Sequence, residues 1–437
     1  MKRDFGVGEM DLRDKIVHPK LLYVDGKFRA DLFLKISVDG KIDAILNKSE
    51  LPSSVDVVEL ENEALIPGFV NAHSHAFHRE LRGKSGIGGE GADNFWKWRD
   101  NMYQLVAEAD FAKIQKYCKD TFSEMLHAGI TTVGEFHYVH HSNDKKFELD
   151  YAVIEAAKET GIRLVLIETL YCRSGFDATD VIPQQKRFKS DITEFIDHVK
   201  QLKHNKLPKN VHLAVAAHSL RAVPVDQLKQ LYEFARQENL PFHLHLEEQP
   251  KEIQDCEATE CCTPSELLLS ALPDADQRLT AVHCTYTKRK NLNAFASKQI
   301  NVCICPLTEG FLGDGIPHLE PDDKLCVGTD CNNRLCFIEE LRWLAYGQNM
   351  KTNSRNACKL DAKKLLQIAT ENGALSLGIR EQTGQIRAGF QADFVAFDLK
   401  ARRLSGIEKD ELLDALIFGC GNEEISRVFI SGVEKSA

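Results

Sequence analysis

The stretch NAHSHAFHREL places three histidines, His73, His75 and His78, within six residues of a chain that has 16 in all. Imidazole is a common ligand of divalent ions, so density of this kind raises the question of a metal. Residues i and i+2 of a strand share a face, so His73 and His75 can reach one ion. His78 lies past the strand end, on a different vector. A lone pair of this kind is structural about as often as it is ligating. The balance shifts because other apolar runs end in the donors that are missing. PFHLHLEE ends in His245 and Glu248, LTAVHCTY carries His283, and KLCVGTDC carries Asp330. His245 can add a third imidazole and Asp330 a carboxylate, an N/O set suited to zinc. Glu248 can stand beside the ion without ligating it, and His283 offers one more imidazole.

The chemistry of such a set is hydrolytic. Zinc lowers the pKa of bound water to about 7. A carboxylate in reach carries the proton to a leaving nitrogen, and a positioned imidazole steadies the tetrahedral centre. Together these describe attack of water on an sp² carbon.

The elements that must position these residues are eight β-rich runs separated by charged stretches of helical period: 66–75, 130–139, 163–172, 211–220, 241–248, 279–286, 301–308 and 324–331. This alternation predicts a (β/α)₈ TIM-like barrel. Nearly every run ends in a polar or ionisable residue (His73 and His75, His137 and Tyr138, His218, His245 and Glu248, His283, Asp330), at the end where such barrels keep their active sites. A bridged second metal would ask for a lysine in 163–172 or 211–220, and neither run has one. One divalent ion per chain, zinc, is therefore expected. His137, His140 and His141 have no ligand spacing to the main set and read as structural or as supports behind the ligands. The flanks carry short strands with DG turn signals. They predict a small β-sandwich domain from both chain ends, residues 1–66 and 384–437, around a barrel domain of 67–383.

Composition narrows the function classes. A formal charge of −10 argues against a nucleic-acid binder but permits an anionic small-molecule substrate held by local arginines. No run of 18 apolar residues appears, so no membrane partner is expected. The N-terminal stretch lacks an apolar targeting core. Thirteen scattered cysteines read as reduced thiols of a cytoplasmic protein.

PGFVNAHSH, HLHLEEQ, AVHC and GTD resemble the amidohydrolase superfamily in its mononuclear form, and TGQIRAGFQADFVAFD resembles its return into the small domain. A narrower resemblance runs from about residue 65 to 350. HSHAFHRELRG, NFWKWRDNMYQLV, GEFHYVHH, LYCRSGF, HSLRAV, HLHLEEQPKEI, LTEGFLGDGI and EELRWLAYGQ resemble the N-formimino-L-glutamate deiminases of histidine degradation. The resemblance implies conversion of N-formimino-L-glutamate and water to N-formyl-L-glutamate and ammonia. It implies metal ligands at His73, His75, His245 and Asp330. It also implies an acid/base at Glu248, His283 beside the reacting water, and a proton acceptor in Asp330. Substrate contacts fall on His78, Arg99, Tyr138, His218 and Arg221, with Trp96 and Trp98 walling the pocket, and such barrels often pair as homodimers. Two arginines suit two carboxylates, because guanidinium forks bind them bidentately.

Three motifs depart from the family pattern: His78 stands for glutamine, Cys331-Asn332 for Ser-His, and Glu247 for the alanine of HxAE. They bear on the substrate more than on the reaction. The alternatives are a deaminase of another amidine or of a purine- or pyrimidine-like ring, and a catalytically silent scaffold, which the intact ligand set disfavours. His78 is expected to gain charge below about pH 6.5.

Overall fold

A computed structural model describes residues 10–53, 56–84 and 93–435, with the side chains of all of these but 93–97. Eight strands lie at its centre: β1 (Phe69–Ser74), β2 (Ile130–His137), β3 (Arg163–Leu170), β4 (Val211–Ser219), β5 (Phe242–Leu246), β6 (Leu279–His283), β7 (Asn301–Ile304) and β8 (Leu325–Val327). Each pairs in parallel with its neighbour in sequence. All eight fall within the runs expected from the sequence. β2 and β3 are buried along their whole length, because side chains face either the barrel interior or the helices outside. Helices enter under carboxylate caps. Asp110 accepts the Lys113 N–H (2.8 Å) ahead of Phe111–His127, and Asp191 accepts that of Thr193 (2.8 Å) ahead of Ile192–His204. Such a cap stabilises a helix by about 1 kcal/mol.

The ring closes between β1 and β8, where the site residues lie. Ser74 and Asp330 form a parallel bridge. The His75 N–H donates to the Asp330 carbonyl (2.9 Å) and that of Thr329 to the His73 carbonyl (3.0 Å). Gly328 makes this approach possible, since a Cβ there would stand 2.7 Å from the His73 Cβ and carbonyl oxygen. The TIM-like barrel expected from the sequence is present.

The two chain ends form one eight-stranded mixed sheet. Val57–Pro67 lies parallel to Ile16–Val24 on one side and antiparallel to Phe394–Asp398 on the other. The sheet curls until Lys41 bridges Gln391, enclosing Val17, Leu22, Leu34, Leu65, Phe394 and Phe429. The small β domain is therefore a single sheet folded over its own core. Arg163 at the foot of β3 forks onto Asp393 (3.1 and 3.1 Å), a buried pair tying sheet to barrel. Among the described residues no helix is long and apolar enough to cross a membrane, and every cysteine is free. Residues 1–9 and the Trp96 side chain, both part of the sequence expectations, lie outside the described residues and side chains.

Candidate active site

The C-terminal ends of β1, β5 and β8 bring four donor atoms together. His245 Nε2 lies 3.2 Å from His73 Nε2 and 3.4 Å from His75 Nε2. Asp330 Oδ1 lies 3.5 Å from His73 Nε2 and 3.4 Å from His75 Nε2. Ligand atoms about 2.0–2.2 Å from a tetrahedral ion stand about 3.3–3.6 Å apart, close to these four distances. The tautomers agree. His75 Nδ1 donates to the Phe136 carbonyl (2.8 Å) and His245 Nδ1 to that of His218 (3.0 Å), so each ring turns a bare Nε2 lone pair inward. Burial keeps all three imidazoles neutral by pulling their pKa values down. Lone pairs and a carboxylate facing each other at this distance repel, and a divalent cation is the counter-charge that fits them. Asp330 (φ 45°), Glu247 (φ 51°) and His283 (φ 73°) all hold left-handed backbone around the site. Each such residue costs on the order of 1–3 kcal/mol, a strain typical of functional sites.

His283 and Glu248 stand beside the donor set. His283 Nε2 is 3.9 Å from Glu248 Oε1, and its Nδ1 donates to Glu309 Oε1 (3.4 Å). Burial opposes charge on His283, but Glu248, Glu309 and Asp330 outweigh it and push its pKa up to about 10. Burial raises the Glu248 carboxyl.

A cavity of about 90 Å³ opens above these groups. His78, Arg99, Tyr138, His218 and Arg221 line it together with His75, His245, Glu248, His283 and Asp330. Every site residue expected from the sequence is thus gathered at one place; only His73 lies beneath the cavity wall, fully buried. Trp98 lines the wall as expected. The His78 Nε2 pairs with the Tyr138 hydroxyl at 2.9 Å. His75, His78 and Asp330 also fall within ligand reach of one another, but that hydroxyl occupies His78 Nε2. The expectation that His78 gains charge near pH 6.5 is wrong: burial pushes its pKa down to about 3.

The other departures from the family pattern point away from the cavity. Glu247 turns outward and accepts from the Ser265 N–H (2.9 Å) and hydroxyl (2.7 Å) at the start of Pro264–Ala271. Asn332 donates to the Ser74 hydroxyl (3.1 Å), the His75 carbonyl (2.9 Å) and the Asp330 carbonyl (2.9 Å), bracing the β1–β8 closure. Cys331 packs against the Thr308 hydroxyl at 3.2 Å.

Sequence reasoning missed the cap of the cavity. Gln185 Nε2 donates to the hydroxyls of Tyr103 and Tyr171, both at 2.9 Å, and all three residues line the cavity. Tyr103 was findable, four residues after Arg99 and hence on the same face of Asp93–Ala107. The Arg99 guanidinium lies 5.6 Å from the Tyr103 ring centre. Gln185 sits in a single short helical turn with no periodic signal. Glu309 was also missed, within the quoted LTEGFLGDGI.

Known proteins match the chain along nearly its whole length. The model of the amidohydrolase family matches residues 64–435. A formimidoylglutamate deiminase of Pseudomonas aeruginosa is 33% identical over 91% of this chain and 89% of its own. A 5′-deoxyadenosine deaminase of Methanosphaera stadtmanae is 28% identical over 94% of this chain and 92% of its own. The crystal structure of an amidohydrolase from Brucella melitensis superposes with a TM-score of 0.85 at 28% identity, covering 96% of this chain and 94% of that one. Fold and sequence agree, and the chain belongs to the amidohydrolase family.

Proposed function

We propose that the chain hydrolyses the C=N bond of a small dicarboxylate amidine, N-formimino-L-glutamate, to N-formyl-L-glutamate and ammonia. The observation that carries this reading is two arginines, Arg99 and Arg221, in the wall of one cavity whose floor is the donor set. Guanidinium forks suit carboxylates, whereas a neutral ring gives them nothing to bind. The 33% identity to a formimidoylglutamate deiminase supports the same substrate.

His73, His75, His245 and Asp330 are the residues that would hold one divalent ion, zinc by donor type. When bound, that ion activates water at neutral pH and polarises the amidine. Glu248 takes the proton of the attacking water and returns it to the departing nitrogen as C–O forms and C–N breaks. Its burial-raised pKa matches a group that must both accept and donate. His283, braced at Nδ1 by Glu309, presents Nε2 to the developing tetrahedral centre. Asp330 accepts the second proton as the C=O bond forms, and that proton passes on to the departing nitrogen so that ammonia leaves. Arg99 and Arg221 fix the two carboxylates, while Tyr138, His218 and His78 complete the wall.

A second reading is deamination of an adenosine-like ring, the activity named for the Methanosphaera relative. Trp98, Tyr103, Tyr138, Tyr171 and Phe188 in the wall favour it, as aromatic faces on which a base can stack. One panel separates the two, with ammonia release measured on formiminoglutamate, carbamimidoyl amino acids, 5′-deoxyadenosine and adenosine. Turnover of formiminoglutamate is expected. Its inertness beside an active nucleoside would replace the first reading with the second.

A further inference from the structure

On the far side of the barrel wall, between β2, β3 and the helices that cover them, lies a second group of imidazoles and carboxylates that the reaction does not use. His137 ends β2 and His140 follows it. Asp150 lies in the first turn of Glu148–Thr160, Glu168 on β3, and His198 in Ile192–His204. None is more than 6% exposed. Asp150 Oδ1 lies 2.9 Å from His140 Nδ1 and 3.2 Å from His137 Nε2, and Glu168 Oε2 lies 3.5 Å from the same His140 Nδ1. His198 Nε2 meets the other Asp150 oxygen at 2.8 Å.

Three features point beyond the residues themselves. Both Glu168 oxygens are buried, and as a carboxylate Glu168 has no hydrogen-bond donor facing it; its near neighbour is the Asp150 carboxylate. Among the described residues, no lysine or arginine lies within 4.0 Å of either carboxylate, so two negative groups meet imidazoles alone. His137 Nε2 is close to Asp150 Oδ1 but makes no hydrogen bond with it. Two donor atoms that are near without being aimed at each other are the signature of ligands turned toward a common point. His140 adds to this. Its Nε2 meets the Thr169 carbonyl at 2.8 Å as donor, leaving Nδ1 a lone pair toward Asp150 unless the ring is doubly protonated.

We propose that His137, His140, Asp150 and Glu168 form a second, structural divalent-cation site of the zinc type, with His198 orienting Asp150 from outside. Two imidazoles and two carboxylates make a closed tetrahedral N/O set whose charge cancels that of the ion, as burial requires. The site has a purpose in the fold. Tyr138 lies between two of its ligands and turns to the cavity, where its hydroxyl meets His78. An ion here pins residues 137–140 and so fixes that wall. The competing occupant is a proton, shared between Glu168 and Asp150 and balanced by an imidazolium.

Metal content separates the two. Chain purified without chelator, reconstituted with excess Zn²⁺ and desalted, is expected to carry two equivalents by plasma emission spectrometry. Glu168→Gln and Asp330→Asn are each expected to carry one, and the double variant none. Glu168→Leu is the second probe, since residues 164–167 just before it in β3 are all apolar and buried. Wild-type crystals need no variant and are expected to give two anomalous peaks at the zinc edge, one of them at Asp150. One equivalent that vanishes in Asp330→Asn and survives in Glu168→Gln would overturn the site in favour of the proton, as would crystals with no peak at Asp150. One equivalent with the opposite pattern would keep this site and remove the ion from the mouth of the barrel instead, so the two readings fail separately.

Discussion

Two clusters of imidazoles and carboxylates lie on opposite faces of one barrel wall, built from neighbouring stretches of chain, and they differ in access and in charge. At the mouth, three histidines and Asp330 sit under a cavity that also holds Glu248, His283 and two arginines. Behind β2 and β3, two histidines face two carboxylates and the packing of helices leaves them sealed. A divalent ion in the first set keeps net positive charge and an open side, the conditions for binding water and a substrate. In the second set it is neutralised and enclosed. Backbone strain follows the same division. Asp330, His283 and Glu247 hold positive φ around the mouth, whereas none of the five rear residues does. On these two proposals the same residue types would do chemistry at one face and hold the fold at the other, the open side of the first set making the difference.

Breaking the mouth should abolish turnover and spare the fold. Asp330→Asn is expected to lower kcat/KM by more than about 10⁴-fold, above the upper range for proton transfer alone, because a ligand and a proton acceptor go together. Retained activity within about tenfold would remove Asp330 from the site. Glu248→Gln comes next, with kcat down about 10²–10⁴-fold and metal content unchanged, because only proton transfer is lost. Loss of metal in that variant would make Glu248 a ligand instead.

Breaking the rear cluster should do the reverse. Asp150→Asn leaves three histidines and Glu168 without their common partner. Denaturant unfolding is expected to show a loss of about 3–5 kcal/mol, the usual consequence of breaking a buried charged pair, with kcat per folded chain changed only a few-fold. Full stability with collapsed turnover would reverse the assignment of the two faces. Arg221→Ala is milder and tests substrate charge. Losing charge-assisted bonds worth about 1.5–3 kcal/mol should raise KM for formiminoglutamate about 10–10²-fold and leave a neutral nucleoside unaffected.

The mouth was legible in the sequence for a physical reason. A parallel barrel brings every strand's C-terminal end to one rim, so polar residues at the ends of apolar runs can be collected without knowing the helices. The i, i+2 spacing of His73 and His75 gave a shared face, and the strand ends supplied His245 and Asp330. The rear cluster obeys no such rule. Asp150 and His198 lie on two helices, and their approach to His137 depends on how those helices pack. The one local hint was Glu168, a carboxylate in the buried run RLVLIETL. Gln185 was illegible for a similar reason, since it reaches two tyrosines from a single short helical turn, Pro183–Gln185. The outward turn of Glu247 runs against strand alternation, which would put it on the face of His245; its left-handed backbone (φ 51°) just past the strand turns it out, and its partner Ser265 comes from a separate helix.

His78 lies between the two faces, since it touches Tyr138, whose neighbours His137 and His140 belong to the rear cluster. His78→Gln is expected to have the smallest effect of the series, a few-fold change in KM at neutral pH. Glutamine keeps a donor or acceptor for the Tyr138 hydroxyl, and the ring it replaces carries no charge to lose. The pH dependence makes this specific. A group whose pKa is pushed down to about 3 stays neutral at every higher pH, so it contributes no titration between pH 5 and 8. Profiles of kcat/KM for wild type and His78→Gln should then run parallel across that range, displaced but unchanged in shape. An acid limb near pH 6.5 present in the wild type and absent in His78→Gln would mean that substrate entry, or water reaching the cavity, returns His78 to its ordinary pKa. The wall would then be looser than the Tyr138 contact implies. In that case Glu168→Gln, which unpins the same segment, should move the limb as well. A rear site that only stabilises the fold would leave it where it is.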